Sequence, residues 1–126
     1  MDRIVEMRRR HTMWNIKQNA TEIIINRLRK VRSGGGFDEE ETTIGPFLVR
    51  LYVTNGSPKE ISNLAGQKIV DGHYGLLADY QTDIKADTNT TDKFEIDGTT
   101  FEVKAVFPQS INGEVVGYQC EVERVM

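Results

Sequence analysis

Two histidines, one cysteine and several clusters of like charge are the residues of this 126-residue chain whose types could do chemistry. Nucleophilic catalysis needs a Ser, Thr or Cys with a base held beside it. His11 and His73 are far apart in sequence, and no nucleophile signature surrounds a candidate. Cys120 alternates with Val116, Tyr118 and Val122 along an expected strand, so it is read as a core residue. The run Asp87-Thr88-Asn89-Thr90-Thr91-Asp92 opens like a calcium loop but puts Asp92 where the sharp turn needs glycine, which leaves a solvated loop. One cysteine also excludes a disulfide framework and any multi-cysteine metal site. The expectation is therefore no catalytic residue, no metal and no cofactor.

The glycine run Ser33-Gly34-Gly35-Gly36 lets backbone N–H groups approach an anion, as phosphate loops require. Here no Gly-Lys-Ser/Thr follows, the next element is not a helix, and Asp38, Glu39, Glu40 and Glu41 would repel a phosphate. Those acids also lack the burial that separates the pKa values of an acid–base pair. The cations are more suggestive. Residues 1–32 hold nine Lys/Arg against three Asp/Glu, a net of +6, while residues 33–126 carry −9, so the overall charge of −3 conceals a polarised chain.

Ile4, Met7, His11 and Trp14 recur at helical spacing, with Arg8, Arg9 and Arg10 mostly elsewhere around the axis. This predicts an amphipathic helix over residues 2–14, too short to stand alone, whose stripe docks on the domain or on a partner chain. From Thr21 a β-branched strand continues to Arg32, and Phe47-Leu48-Val49-Arg50-Leu51-Tyr52-Val53 alternates with Phe47, Val49, Leu51 and Val53 on one face. The two make a long hairpin joined by a 13-residue loop, 33–45, well beyond the usual hairpin length. Arms of about six residues at ~3.3 Å each would carry its tip roughly 20 Å from the sheet. Ser57-Pro58-Lys59-Glu60 reads as a capping box opening a short helix that stops at Gly66. Tyr74-Gly75-Leu76-Leu77-Ala78-Asp79 is a buried strand, and Asp97-Gly98 and Asn112-Gly113 mark tight hairpins between the last three.

These elements predict a mainly β fold, a small antiparallel β-barrel or sandwich with a short N-terminal helix and one further short helix. Residues 1–19 form the helix and connector, and 20–126 a single barrel-like domain. No apolar run spans a bilayer, and the start of the chain lacks a secretory leader, so an intracellular setting is expected and the triplets at Asn19, Asn55 and Asn89 are chance glycosylation matches.

The segments Gly34-Gly35-Gly36-Phe37-Asp38-Glu39-Glu40-Glu41-Thr42-Thr43-Ile44-Gly45-Pro46-Phe47, Tyr74-Gly75-Leu76-Leu77-Ala78-Asp79 and Asp92-Lys93-Phe94-Glu95-Ile96-Asp97-Gly98-Thr99-Thr100-Phe101-Glu102-Val103 resemble the head-completion (head–tail connector, stopper) proteins of long-tailed phages, more narrowly the XkdH-type proteins of PBSX-like prophages in Bacillus. The resemblance spans about residues 20–125 and consists of strand and turn patterns, not catalytic signatures. It implies a subunit that is cytoplasmic before assembly and then forms a ring in the particle neck, between the portal and adaptor on one side and the tail-side connector on the other. The loop at residues 34–43 would reach toward packaged double-stranded DNA. Ile4, Met7, Arg8, Arg9, Arg10, Trp14, Arg27, Arg29, Lys30 and Arg32 are the candidate assembly interface, where basic regions of one chain steer toward acidic regions of another. The competing reading is a small nucleic-acid-binding barrel in which the same cations meet phosphates and Trp14 stacks on a base.

Overall fold

The computed structural model describes residues 3–53, 59–60 and 73–125. Helix α1 (Arg3–Lys17) is followed by β1 (Thr21–Ser33), β2 (Gly36–Val53), β3 (Lys59–Glu60), β4 (His73–Asp79), β5 (Ala86–Asp87), β6 (Thr90–Ile96), β7 (Thr99–Ile111) and β8 (Glu114–Val125). Neighbouring strands run antiparallel in the order β1-β2-β4-β8-β7-β6, and β6 returns to pair with β1 from Lys93↔Asn26 to Thr90↔Arg29. The sheet is thereby a closed six-stranded barrel, with β5 as an extra strand on β6 and β3 on β2. Closure uses up the edges that an open sheet would leave exposed.

Alternation decides what fills the barrel. Ile23 and Ile25 of β1, Val49 and Leu51 of β2, Tyr74, Leu76 and Ala78 of β4, Phe94 of β6, Phe101 and Val103 of β7, and Cys120 and Val122 of β8 form one buried cluster. Phe101 is central, stacked on Phe94 at 5.4 Å between centroids and meeting Tyr74 edge-on at 5.2 Å. The Asp-Gly and Asn-Gly hairpins form as expected. Asp97 and Gly98 have φ of 48° and 81°, and Asn112 and Gly113 of 50° and 79°, the positive pair that a two-residue turn matched to strand twist requires.

Four expectations change. Helix α1 runs to Lys17, past residue 14, because Ile16 is one of its two fully buried anchors. Its predicted apolar stripe does not dock on the domain, which leaves the partner-chain alternative: Ile4, Met7 and Trp14 are 49%, 58% and 59% exposed, while Val5 and Ile16 are buried. The 33–45 loop is a ladder, paired without interruption from Ser33↔Gly36 to Ile25↔Ile44 around the two-residue turn Gly34-Gly35. Of the predicted helix over 57–66, only Lys59 and Glu60 are described, and they pair as a strand with Val53 and Tyr52. The rest of that helix lies outside the described residues.

Candidate functional site

The candidate site is the β1–β2 hairpin together with α1. Opposition of unlike charges favours the ladder at two of its positions. Arg29 lies opposite Glu40 and Lys30 opposite Glu39, so two of the four acids face a cation across the ladder, while Glu41 faces Leu28. Val31 opposes Asp38, Arg32 opposes Phe37, Arg27 opposes Thr42 and Asn26 opposes Thr43. The Thr43 hydroxyl donates to Asn26 Oδ1 at 3.4 Å. Gly34 and Gly35 take φ of 51° and 95°, which L residues resist and glycine does not.

The hairpin outruns the barrel. β6 accompanies β1 only as far as Arg29, and the Lys30 N–H donates to the Asn89 carbonyl at 2.9 Å as the last tie. Residues 31–38 continue beyond it, about four residues per arm, or roughly 13 Å at ~3.3 Å per residue. That reach is shorter than expected because the lower arms belong to the barrel wall. Asp38, Glu39, Glu40, Glu41, Thr42, Thr43, Gly34, Gly35 and Gly36 are exposed, as are Arg29, Lys30 and Arg32. Along the opposite edge, residues 36–48 of β2 pair only with β1 among the described residues.

Of the ten candidate interface residues, Arg27 and Arg9 are held by side-chain bonds within the fold. Arg27 shares the parity of Ile23 and Ile25 and points into the barrel end, where its Nε and Nη2 donate to Asp92 at 2.8 and 2.9 Å and its Nη2 and Nη1 to the Asp83 carboxylate at 2.9 and 3.1 Å. Asp92 is fully buried and also accepts the Lys85 N–H at 2.7 Å. These charge-assisted bonds, Asp92 foremost, raise the Arg27 pKa and hold the Asp83 carboxyl below its ordinary value. Arg9 donates from Nε to the Val115 carbonyl at 2.9 Å, reaches Glu114 at 3.4 Å, and lies 3.9 Å over the Tyr80 ring. Both are fastenings of the fold. Arg8 and Arg10 remain exposed on α1.

Among the described residues, the remaining chemistry-bearing groups lie on separate elements. His11 is on α1, its ring 5.7 Å from that of Trp14, whereas His73 opens β4 opposite Glu123. Cys120 is buried, and desolvation, with the Asp92 charge second, pushes its thiol up to about 12, so it stays neutral. Asp87 accepts the Asn89 N–H at 2.9 Å and closes a turn. That bond lowers its pKa, and Asp92 of the same expected loop is instead interior. No group of three or more His, Cys, Asp or Glu among the described residues is placed to hold a metal, and no described helix is long and apolar enough to cross a membrane. The Arg27–Asp92 pair went unread in the sequence although its signal was there: Asp92 is two residues before Phe94 and Arg27 two after Ile25, the period that puts both side chains inside. No family model, no curated protein and no solved structure matches this chain.

Proposed function

We propose that the protein is a structural, non-enzymatic connector subunit that forms a ring below a phage-type portal, between adaptor and tail, with its β1–β2 hairpin directed to the DNA channel. The observation that supports this reading is the hairpin that outruns a closed barrel and carries exposed charge to a two-glycine tip. A closed barrel can contact neighbours through such a projection and through residues 36–48 of β2, which pair only with β1 among the described residues. The hairpin acids suit a channel through which a polyanion must slide. One carboxylate 10 Å from a DNA phosphate feels about 0.4 kcal/mol of repulsion in water, and with Arg29, Lys30 and Arg32 set against Asp38, Glu39, Glu40 and Glu41 the hairpin carries a net −1, so each copy adds only a slight bias against adhesion. Occupancy of the channel by the tips retains the DNA; within residues 31–38 the charges of Arg32 and Asp38 cancel.

Reconstitution with portal and adaptor, viewed by electron microscopy, tests this. The expected result is a ring under the portal with residues 31–38 directed inward. Absence of a ring, together with tight, salt-sensitive binding of duplex DNA by the isolated chain, would overturn it in favour of the nucleic-acid-binding barrel. In assembled particles, the isosteric set Asp38→Asn, Glu39→Gln, Glu40→Gln and Glu41→Gln is expected to change DNA retention or ejection with the fold intact. Unaltered particles would remove the hairpin charge from the mechanism.

A further inference from the structure

Helix α1 has two apolar faces, and the barrel uses one. Val5 and Ile16, with Arg9 and Thr12 between them, lie against the outer surface of β8, β4 and β2, where Gly117 admits Thr12 to the strand backbone. Arg50 of β2 fastens the end of the helix, donating to the Asn15 carbonyl at 2.8 Å and to its side-chain oxygen. The helix is thus held in place with the opposite face turned to solvent.

That outward face has a coiled-coil repeat. Ile4, Met7, His11 and Trp14 are spaced three, four and three residues apart, the a-d-a-d order of two heptads. In this frame the g positions are Arg3, Arg10 and Lys17, all exposed and all cationic, and the first e position is Arg8, also exposed. The seam is about 15 Å long at 1.5 Å per residue. A stripe this narrow, bordered by three cations on the g side and by Arg8 and Asn15 on the e side, fits the knobs-into-holes packing of one helix better than the broad apolar face with which a helix enters lipid.

We propose that the outward face of α1 is a helix-pairing seam for an acidic amphipathic helix of a partner protein, one whose own a/d stripe is bordered by Glu or Asp. Charge complementarity selects this occupant. Antiparallel pairing of two copies of α1 sets Arg3 against Lys17 and Arg10 against Arg10, and parallel pairing sets Arg3 against Arg8, so the helix disfavours itself. Because the barrel already holds α1 folded, a partner pays ordering cost on one side only, which lets a two-heptad seam suffice. This inference needs only a partner helix and is independent of the ring.

The test uses the full chain at low salt and the emission of Trp14, its single tryptophan. The probes are a synthetic three-heptad peptide with Leu at a and d and Glu at e and g, and its counterpart with Lys at e and g. The Glu peptide is expected to shift Trp14 emission to the blue and saturate, with the Lys peptide at least tenfold weaker. Met7→Asp is expected to weaken the Glu peptide at least tenfold with circular dichroism and melting unchanged, and Arg3→Glu with Arg10→Glu to move the preference toward the Lys peptide. Equal responses to both peptides, or full binding by Met7→Asp, would overturn the proposal. So would a stronger response to phosphatidylglycerol vesicles or to a DNA duplex. A failed titration leaves the ring reading standing, and a failed ring reconstitution leaves the seam standing.

Discussion

Arg27 and Asp92 put an ion pair inside one end of a small barrel, where a charge survives only with its partners in place. Arg27 donates to two carboxylates, and Asp92 accepts from both Arg27 and the Lys85 backbone, so no described buried side-chain nitrogen or oxygen is left without a hydrogen bond. Removing one member strands the other in a medium that solvates it poorly. Asp92→Ala is therefore expected to destabilise the fold by about 3–5 kcal/mol, whereas replacing both residues, as Arg27→Met with Asp92→Leu, recovers most of the loss. Urea denaturation of the two variants checks this. A double variant as unstable as the single would mean that the loss does not come from a stranded Arg27 charge.

At the scale of elements, the turns were legible because their chemistry is local. Asp97-Gly98 and Asn112-Gly113 need only their own backbone freedom to fix a hairpin, and the strands they join carry their inward residues at period two. The 33–45 segment was not legible as strand, since Asp, Glu and Gly are poor strand formers and only the facing Arg29 and Lys30 make the acids acceptable. Another contact between elements was equally hidden. The Tyr52 ring of β2 lies across Gly75 of β4, its hydroxyl accepting from Gln119 of β8, and a Cβ at position 75 would meet the ring at 2.3 Å. Gly75→Ala is expected to cost about 1–3 kcal/mol by overpacking, and the added change Tyr52→Ser to relieve most of it, as read from a double-mutant cycle in denaturant. Independent, additive losses would show that the ring does not depend on the glycine.

For the whole molecule, the consequence of barrel closure is that α1 has no core to enter and must lie on an outer wall. That wall takes the side of the helix carrying Val5 and Ile16 and leaves Ile4, Met7 and Trp14 in solvent. Ile16→Ala is accordingly expected to cost about 2–5 kcal/mol, and Trp14→Ala less than about 0.5 kcal/mol, although tryptophan is the larger side chain. Thermal or urea unfolding of the two variants decides between this docking and one through the Ile4–Trp14 stripe, for which the order of the losses reverses.

Periodicity and turn chemistry were enough, from the chain alone, to establish a mainly β fold, an N-terminal helix, the last two hairpins and the core role of Cys120, because each depends on residues close together in sequence. Which face of α1 meets the barrel, whether residues 36–44 are loop or ladder, and which of the cations are spent inside the fold depend on groups that meet only when the sheet closes. Arg27 and Asp92 are 65 residues apart, and Arg9 and Val115 are 106 apart. A helix with apolar residues on two sides carries no local sign of which side is buried. The shape of the wall that receives it makes that choice.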